Sequence, residues 1–341
     1  MQKPKKYDLV VYIGRFQPFH IAHKKIIDHA NSLAEKVLVI VGSSKTSRSV
    51  KNPFTFKERV NFIRKSTHVL NLQIRGVPDF PYDDASWIQA VEQIVTSEVR
   101  EKSRIAIIGM DKDESSYYLK FFPQWELIPF EKVPLDGTSI GATDIRQMIF
   151  SGLSIYTQSV LPFPVFDWIT QEFVYTDRYV ALKDEFDALV EYKKSWSSSP
   201  YPPTFVTVDA VVVQSGHILL VQRDGQPGKG LWAMPGGFIG ENEKLIDAMI
   251  RELREETGLK VPEKVLRGSI TRRDVFDDPS RSQRGRTITH AFKIELDDSQ
   301  ELPRLKAGSD AKRACWFSLG DLARMQEELY EDHYGIIYHM L

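Results

Sequence analysis

Cysteine is nearly absent from this sequence, since Cys315 is the only one among 341 residues. A single cysteine excludes an intrachain disulfide framework and a cysteine-rich zinc site, so a reducing, cytoplasmic setting is expected. The lysines near the start precede an apolar stretch from Leu9 to Ile13, which is shorter than the core of a signal peptide. No apolar run approaches the length of a membrane span. We therefore expect a cytoplasmic protein that does not cross a membrane.

An excess of charge of one sign is also lacking. Basic residues number 45 and acidic residues 46, which gives a formal net charge of -1. A chain so close to neutrality offers no overall attraction for nucleic acid or for an anionic membrane. Small molecules are the expected partners. Composition does not reveal a symmetric surface, so a homo-oligomer is left open.

The length and the order of the sequence patterns predict two domains, because ordinary domains run to roughly 100–200 residues. Short β-branched runs alternate with helical stretches from Val10 to about Phe130, which is typical of a doubly wound parallel sheet in an α/β domain. Serines and prolines then mark a linker. Beyond it, two strands with a turn at Ser215, one strong helix and further strands predict a mixed α+β domain. The predicted ranges are 1–190, 191–203 for the linker, and 204–341.

The stretch GRFQPFHIAH follows the first predicted strand. Pro18 ends that strand, so His20 and His23, spaced by three, share one face at the start of a helix. A helix start offers unpaired backbone N–H groups and the positive end of the helix dipole, and Gly14 lets a phosphate come close to the chain. Together with Arg15, these groups predict a site for an anion.

A second stretch, SIGATDIRQMIF, predicts a partner for this anion site. Thr143 or Asp144 can cap the helix that follows, which leaves its first N–H groups to meet an anion. Arg146 lies on the first turn of that helix. A plain capped surface helix is the alternative interpretation.

These two stretches together resemble the nucleotidylyltransferase superfamily, specifically the archaeal-type nicotinamide mononucleotide (NMN) adenylyltransferases. The stretches VVGSSKTSRSVKNPFTFKER, YDDASWIQAV and GMDKDESSYYLKFFPQWE extend the resemblance over roughly residues 7–180. The resemblance implies transfer of the AMP moiety of ATP to NMN, which yields NAD and pyrophosphate. A preference between NMN and nicotinate mononucleotide is not determined, and adenylylation of another phosphate such as FMN is an alternative.

The resemblance also assigns roles to residues. His20 and His23 would hold the ATP phosphates in the transition state, and Arg15 and Arg146 would clamp the triphosphate while Mg²⁺ bridges its oxygens. Such chemistry depends on positioning and charge stabilisation and needs no nucleophilic side chain.

Trp87, with Tyr82 and Asp83, would receive the nicotinamide end of NMN, where an aromatic face stacks on a cationic ring. A core stripe on an ordinary helix is the alternative for Trp87. The resemblance places further ATP and NMN contacts at Gly14, Phe16, Gln17, Phe19, Gly109, Lys112, Asp113, Ser139 and Thr143.

The stretch GGFIGENEKLIDAMIRELREETGL carries five glutamates. In the predicted helix, Glu252, Glu255 and Glu256 lie three and four residues apart, opposite an apolar face, and they repel one another unless cations sit between them. Mg²⁺ accepts such carboxylates together with water and phosphate oxygens, and Mn²⁺ is an alternative. Arg251 can reach Glu255 one turn on, and Gly258 ends the helix in a left-handed conformation.

The spacing from Gly237 through Glu243 to Leu259 fits the whole Nudix box, so the second domain resembles the Nudix hydrolases. These enzymes cleave a nucleoside diphosphate linked to another group with metal-activated water. The resemblance implies metal ligands at Gly237, through its backbone carbonyl, and at Glu252, Glu255 and Glu256. The general base is left open between these glutamates and the outside carboxylates Asp274, Asp277, Asp278, Glu301 and Asp310.

The segment RRDVFDDPSRSQRGRTITHAFKI resembles ADP-ribose-cleaving Nudix domains, in which Arg281, Arg284 and Arg286 would meet phosphate or ribose. The motif SQPWPFP of NADH pyrophosphatases is absent, which counts against NADH as substrate. We predict a bifunctional enzyme of NAD metabolism that joins ATP and NMN into NAD and hydrolyses ADP-ribose to AMP and ribose 5-phosphate. The alternative for the second half is a sensor that binds ADP-ribose or another NAD metabolite without cleaving it.

Overall fold

The computed structural model describes residues 4–109, 118–130, 140–308 and 311–341. Two compact units make up the chain, Met1–Lys183 and Asp184–Leu341, and they divide inside helix α6 (Asp177–Ser195). The domain and linker ranges expected from the sequence stay predictions. No helix in the described ranges is both long enough and apolar enough to cross a bilayer. The predicted site residues Lys112, Asp113, Ser139 and Asp310 lie outside the described residues.

The first unit is built on a five-stranded sheet in which every neighbouring pair is parallel, in the order β3-β2-β1-β4-β5. The predicted doubly wound parallel sheet is confirmed. The strand order reverses between β1 and β4, and the carboxyl ends of strands at such a point form a ligand crevice. The strands are β1 (Tyr7–Gly14), β2 (Ala34–Val41), β3 (Leu72–Gly76), β4 (Ile105–Gly109) and β5 (Glu126–Pro129).

The alternation of side chains along β1 explains why helices cover both faces of this sheet. Val11 and Ile13 belong to an apolar cluster with Val91 of α3, whereas Tyr12 points the other way, its ring 6.3 Å from that of His23 on α1. The helices of this unit before α6 are α1 (Ile21–Leu33), α2 (Phe56–Ser66), α3 (Asp84–Thr96), α4 (Ala142–Phe150) and α5 (Phe163–Gln171).

The second unit has a mixed sheet of seven strands, which confirms the predicted α+β architecture. Its main path runs β10-β11-β6-β7-β12, with β8 on β7 and β9 on β6. Only β11 and β6 pair in parallel among these strands. The strands are β6 (Thr204–Gln214), β7 (His217–Arg223), β8 (Trp232–Ala233), β9 (Gly236–Phe238), β10 (Ile270–Phe276), β11 (Arg286–Glu295) and β12 (Ala311–Ser318).

Helix α7 (Leu245–Thr257) packs on this sheet through the face that the sequence predicts. Ala248, Met249 and Leu253 are buried against the β6 residues Val208 and Ala210 in one apolar cluster. Gly258 ends the helix with φ +60, as its left-handed conformation requires. This packing turns Glu252 and Glu256 of α7 towards β9. The remaining helices are α8 (Glu263–Gly268), α9 (Leu319–Leu322) and α10 (His333–Met340).

Candidate functional sites

The turn after β1 brings the two predicted histidines into direct contact. The ring centroids of His20 and His23 are 3.6 Å apart, with their planes inclined by 24°. His20 precedes the first residue of α1, and its backbone N–H donates to Nδ1 of His23 over 3.2 Å. His20 is only 4% exposed, and His23 is half-buried. The structure therefore stacks the two imidazoles at the carboxyl end of β1 and the start of α1.

The other motif residues of this turn form the packing that supports the histidines. Phe16 and Phe19 are buried, and a side chain at Gly14 would place its Cβ 2.8 Å from the Phe16 ring. The Gln17 amide donates to the carbonyl of Phe54 over 2.8 Å and accepts from the Phe54 N–H over 3.0 Å. These contacts give all four residues a structural role, and their contacts with ATP or NMN stay a prediction.

Helix α4 delivers Arg146 to the same turn. The guanidinium donates through Nη1 to the carbonyl of Gln17 over 2.7 Å and through Nη2 to Oγ1 of Thr143 over 3.1 Å. Of the two expected caps, Asp144 caps the helix from its third position, because Gly141 is the N-cap residue and its N–H donates to Asp144 over 2.7 Å. Thr143 is therefore left to orient Arg146, which is a different function from capping.

The positive charge of Arg146 is close enough to that of Arg15 for the two to repel each other. Burial, together with the smaller effect of the like charge of Arg15, lowers the pKa of Arg146 to about 10. Arg15 itself is exposed at the end of the strand. Two guanidinium groups that repel each other beside a stacked histidine pair favour an anion at that place.

Arg59 is a residue of this site that the sequence reasoning missed. Its side chain is almost fully buried and donates to the carbonyls of Arg15 and Gly42, each over 2.7 Å, of Ser43 over 2.8 Å and of Thr55 over 3.3 Å. Burial lowers the pKa of Arg59 to about 10. The guanidinium joins the ends of β1 and β2 to the start of α2. The sequence feature that could have pointed to Arg59 is its place in the stretch NPFTFKER, which is part of the resemblance to the adenylyltransferases.

The region predicted for nicotinamide is packed more tightly than expected. Asp83 accepts from the N–H of Ser86 over 3.0 Å and so caps α3. The half-buried ring of Trp87 lies 6.1 Å from that of Tyr118 and 6.0 Å from that of Phe122. Trp87 thus belongs to an apolar cluster, as its core-stripe alternative requires. Its stacking on nicotinamide stays a prediction.

Two further residues, one predicted for nicotinamide and one for another part of the nucleotides, have unusual backbone surroundings. Tyr82 has φ +69, in the left-handed region that few non-glycine residues adopt. Gly109 ends β4, and a side chain there would place its Cβ 2.7 Å from Leu119. Gly109 therefore lies at the carboxyl end of the strand beside β1, where the fold predicts a ligand crevice.

In the second unit, β9 lies directly against two glutamates of α7. The N–H of Gly236 donates to Oε2 of Glu256 over 3.0 Å. A side chain at Gly237 would place its Cβ 2.6 Å from Oε1 of Glu252. The two glycines therefore let both carboxylates touch the backbone of this short strand.

Arg251 contacts more carboxylates than the sequence predicts. It reaches Glu255 over 3.1 Å, as expected, but it also donates to Glu252 over 2.8 Å and through two bonds of 2.9 Å to Glu243. The Glu252 side chain is 16% exposed and that of Glu255 is 50% exposed. The three predicted metal ligands therefore have different surroundings, and Arg251 separates Glu255 from the pair that faces β9.

Burial sets the electrostatics of that pair. It raises the pKa of Glu256 to about 8 and also raises the pKa of Glu252. Within the described ranges, no three acidic, histidine or cysteine side chains form a ready-made metal cage. The donor set nevertheless fits a divalent cation that keeps several waters, because two carboxylates and the nearby Gly237 carbonyl are oxygen donors that lack a full compensating charge.

The described carboxylates considered as an outside base have other partners or are exposed. Asp274 interacts with Arg272 over 3.1 Å and His339 over 3.0 Å, and Asp278 accepts from the N–H of Ser280 over 2.7 Å. The Asp277 carboxylate lies 3.6 Å from Arg286, and Glu301 is exposed. The identity of the general base stays open.

A buried acid that the sequence reasoning missed lies beside β9. Asp209 of β6 accepts a hydrogen bond from the hydroxyl of Thr289, and a Cβ at Gly236 would be 2.6 Å from its Oδ1. Burial raises the pKa of Asp209. An aspartate inside the apolar run TFVTVDAVVVQ was the signal for this residue.

The three arginines predicted for ADP-ribose have different partners. Arg281 forms two bonds, of 2.9 and 3.0 Å, to Asp332, with side chains only 4% and 9% exposed. Arg286 donates to the carbonyl of Asp277. Arg284 lies over the ring of Phe238, 5.0 Å from its centroid, and Phe238 ends β9. Arg284 is thus the one of the three that contacts the strand facing the glutamates.

Comparisons with known proteins match both halves of the chain. A family model described as NUDIX domain matches residues 203–340, and one described as Cytidylyltransferase-like matches residues 11–78. The nicotinamide/nicotinic acid mononucleotide adenylyltransferase of Acinetobacter baylyi is 36% identical over 150 residues, which are 43% of this chain and 78% of that protein. The ADP-ribose pyrophosphatase of Methanocaldococcus jannaschii is 36% identical over 131 residues, which are 38% and 72%.

A solved structure matches nearly the whole chain. It is the crystal structure of a bifunctional NMN adenylyltransferase/ADP ribose pyrophosphatase from Francisella tularensis, complexed with AMP and a Mn ion, with 36% identity, 98% coverage of each chain and a TM-score of 0.92. Its ligands agree with the nucleotide and divalent-metal classes predicted from the sequence. Both resemblances drawn from the sequence are confirmed. The chain belongs to the family of bifunctional NMN adenylyltransferase/ADP-ribose pyrophosphatases.

Proposed function

We propose that this chain makes NAD from NMN and ATP in its first unit and hydrolyses ADP-ribose to AMP and ribose 5-phosphate in its second. The observation that supports the proposal is the presence of two groups of predicted site residues in one chain. The stacked histidines with Arg15 and Arg146 suit a polyphosphate, and the Glu252 and Glu256 pair against β9 suits a metal-bound diphosphate.

In the first unit, a phosphate oxygen of NMN attacks the α-phosphorus of ATP, and the bond to the leaving pyrophosphate breaks. We assign His20 and His23 to hold the phosphate oxygens as negative charge spreads over the transferring group. Arg15 and Arg146 hold the triphosphate in line for the attack. Mg²⁺, when bound, would neutralise charge on the leaving pyrophosphate.

In the second unit, Glu252, Glu256 and the carbonyl of Gly237 would hold Mg²⁺, which lowers the pKa of bound water and stabilises charge on the diphosphate. Arg251 orients Glu252 and is itself fixed by its two bonds to Glu243. Glu255 completes the set from the exposed side. The chain thus supplies orientation and charge, and one P–O bond of the diphosphate breaks as water adds.

Product analysis of the full-length protein tests both activities. With Mg²⁺ present, one series supplies ATP with NMN, nicotinate mononucleotide or FMN, and another supplies ADP-ribose, NAD, NADH or a dinucleoside polyphosphate. NAD from NMN and AMP from ADP-ribose are the expected products. Failure with both pyridine nucleotides would refute the first assignment, and ADP-ribose binding without AMP formation would make the second unit a sensor.

We also propose a cytoplasmic location, supported by the single cysteine, and domains of residues 1–190 and 204–341 joined by residues 191–203. Separation of the chain near Ser198 tests the boundaries. Two fragments that each unfold cooperatively are expected, and loss of cooperative unfolding in either fragment would show that the boundary is misplaced.

A further inference from the structure

The segment Leu329–His333 contacts the residues that lead into β9. Leu329 forms an isolated β-bridge with Trp232, and the N–H of Tyr330 donates to the Trp232 carbonyl over 2.9 Å. Directly after β8, the N–H of Met234 donates to Nδ1 of His333 over 3.1 Å. The approach to β9 is therefore hydrogen-bonded along its length to a segment almost a hundred residues away in sequence.

His333 is suited to be a permanent acceptor in this arrangement. Its side chain is buried and lies edge-on to the ring of Tyr330, with centroids 5.4 Å apart. Burial holds the pKa of His333 well below its ordinary value, and the positive charges of Arg281, Arg223 and Arg284 act in the same direction. The imidazole is therefore neutral, and Nδ1 keeps the lone pair that the Met234 N–H requires.

The surrounding contacts hold His333 in place. Arg223 lies over the Tyr330 ring, 4.2 Å from its centroid. Asp332, next to His333, forms the buried bidentate pair with Arg281. A ring that is fixed on both sides loses little freedom when it accepts a hydrogen bond. The fixed Nδ1 therefore holds the backbone N–H of Met234 in one place.

The backbone between Met234 and the glycines that contact the glutamates has little freedom to move. Only Pro235 lies between Met234 and Gly236, and its ring fixes its φ. The Pro235 carbonyl accepts from the N–H of Ala210 over 2.8 Å. A Cβ at Gly236 would be 2.2 Å from the Val208 carbonyl, so this strand lies as close to β6 as a glycine allows. A shift of Met234 therefore moves the backbone that contacts Glu256 and Glu252.

We propose that His333 is a positioning residue of the hydrolase site, where its Nδ1 fixes the Met234 backbone and thereby sets Gly236 and Gly237 against Glu256 and Glu252. His333 touches neither the substrate nor the reacting atoms in this arrangement. The inference rests on the proposed hydrolase function and extends it to a residue outside the Nudix box.

Three variants of the full chain test this role. In His333→Asn, Oδ1 replaces Nδ1 as acceptor at the same reach from the backbone. In His333→Gln the amide lies one carbon further out, and in His333→Leu a similar volume offers no acceptor. We expect His333→Leu and His333→Gln to lose about 10–100-fold in kcat for ADP-ribose hydrolysis, the usual effect of losing a supporting partner of a metal site. His333→Asn retains most of kcat.

NAD synthesis by the same preparations is the internal control, because it depends on residues of the first unit and stays unchanged in all three variants. Direct titration with Mn²⁺ alone gives a second readout, with weaker binding expected in His333→Leu and His333→Gln than in His333→Asn. The Gln and Asn variants form a matched amide pair that keeps the test decisive if His333→Leu does not fold.

Equal hydrolysis and equal Mn²⁺ affinity in the Asn and Gln variants, whether high or low, would overturn the positioning role. If the wild-type protein forms no AMP from ADP-ribose, the proposed hydrolase function fails instead. The order of Mn²⁺ affinities then still decides whether His333 positions β9.

Discussion

The backbone N–H of Gly236 donates to the carboxylate of Glu256 over 3.0 Å, so a strand of three residues and a helix meet without an intervening side chain. The neighbouring Gly237 repeats this close approach with Glu252. The glycine pair that precedes the helix is thus required by contact with the glutamates that follow more than a dozen residues later. Three variants and one pH series test the contacts of the two sites.

Glu256→Gln should abolish hydrolysis and spare NAD synthesis. The amide keeps an acceptor for the Gly236 N–H but removes the negative charge that would hold a divalent cation. We expect a loss of about a hundredfold or more in kcat for ADP-ribose, the scale of removing a group that acts on developing charge. AMP release measures the effect, and the exposed Glu241→Gln is the control. Hydrolysis at nearly the wild-type rate in Glu256→Gln would refute the assignment.

Gly237→Ala tests the close approach of β9 to Glu252. The added Cβ would stand 2.6 Å from the Glu252 carboxylate, so either the strand or the side chain must move. We expect hydrolysis to fall by roughly a hundredfold, the effect that a displacement of about 1 Å has at a reacting centre. Gly225→Ala is the control, because no atom lies within 4 Å of its new Cβ. Equal AMP release by the two variants would contradict the expectation.

Arg59→Lys tests the buried guanidinium beneath the first site. Lysine keeps the charge but cannot span the four carbonyls that Arg59 joins, so the backbone of Arg15 is no longer fixed. We expect kcat/KM for ATP in NAD synthesis to fall roughly tenfold or more, with ADP-ribose hydrolysis unchanged. Arg64→Lys, on an exposed position of the same helix, is the control. An unaltered kcat/KM in Arg59→Lys would show that the network does not position Arg15.

The depressed pKa of His333 predicts a dependence of stability on pH. Below about pH 6.5 the unfolded chain takes up a proton at His333, whereas the folded chain, with Arg223, Arg281 and Arg284 nearby, does not. The free energy of unfolding therefore has its full value above about pH 6.5. At lower pH it falls by about 1.4 kcal/mol per pH unit relative to that of His333→Asn. Denaturant unfolding of both proteins across pH 4.5–8, about the range in which histidine titrates, gives this difference. Parallel curves would contradict it.

Local patterns in the sequence were sufficient to predict the two folds. Alternating β-branched runs and helical stretches predicted the parallel sheet, because each strand and helix buries a face that its own spacing defines. The same local reasoning predicted the apolar face of α7 and the left-handed end at Gly258, both of which are confirmed.

Contacts between distant segments were beyond that reasoning. Arg59, Asp209 and His333 stand alone in the sequence, and their partners lie between 4 and 99 residues away. For Arg281, the resemblance predicted a phosphate or ribose contact, which stays a prediction, and the fold adds an ion pair with the buried Asp332. A residue type indicates which bonds a side chain can form, whereas the fold decides which partner is within reach.

The sequence by itself determined the two architectures and the adenylyltransferase and Nudix motifs, and it predicted which residue types would bind phosphate and metal. These depend on periodicity and spacing within single elements. Only the tertiary structure decided that Arg251 donates to both Glu243 and Glu252. It also decided that His333 accepts from the Met234 backbone just before β9. These particular hydrogen bonds form only when separate segments of the chain dock within about 3 Å of each other. The packing of the whole unit fixes that docking.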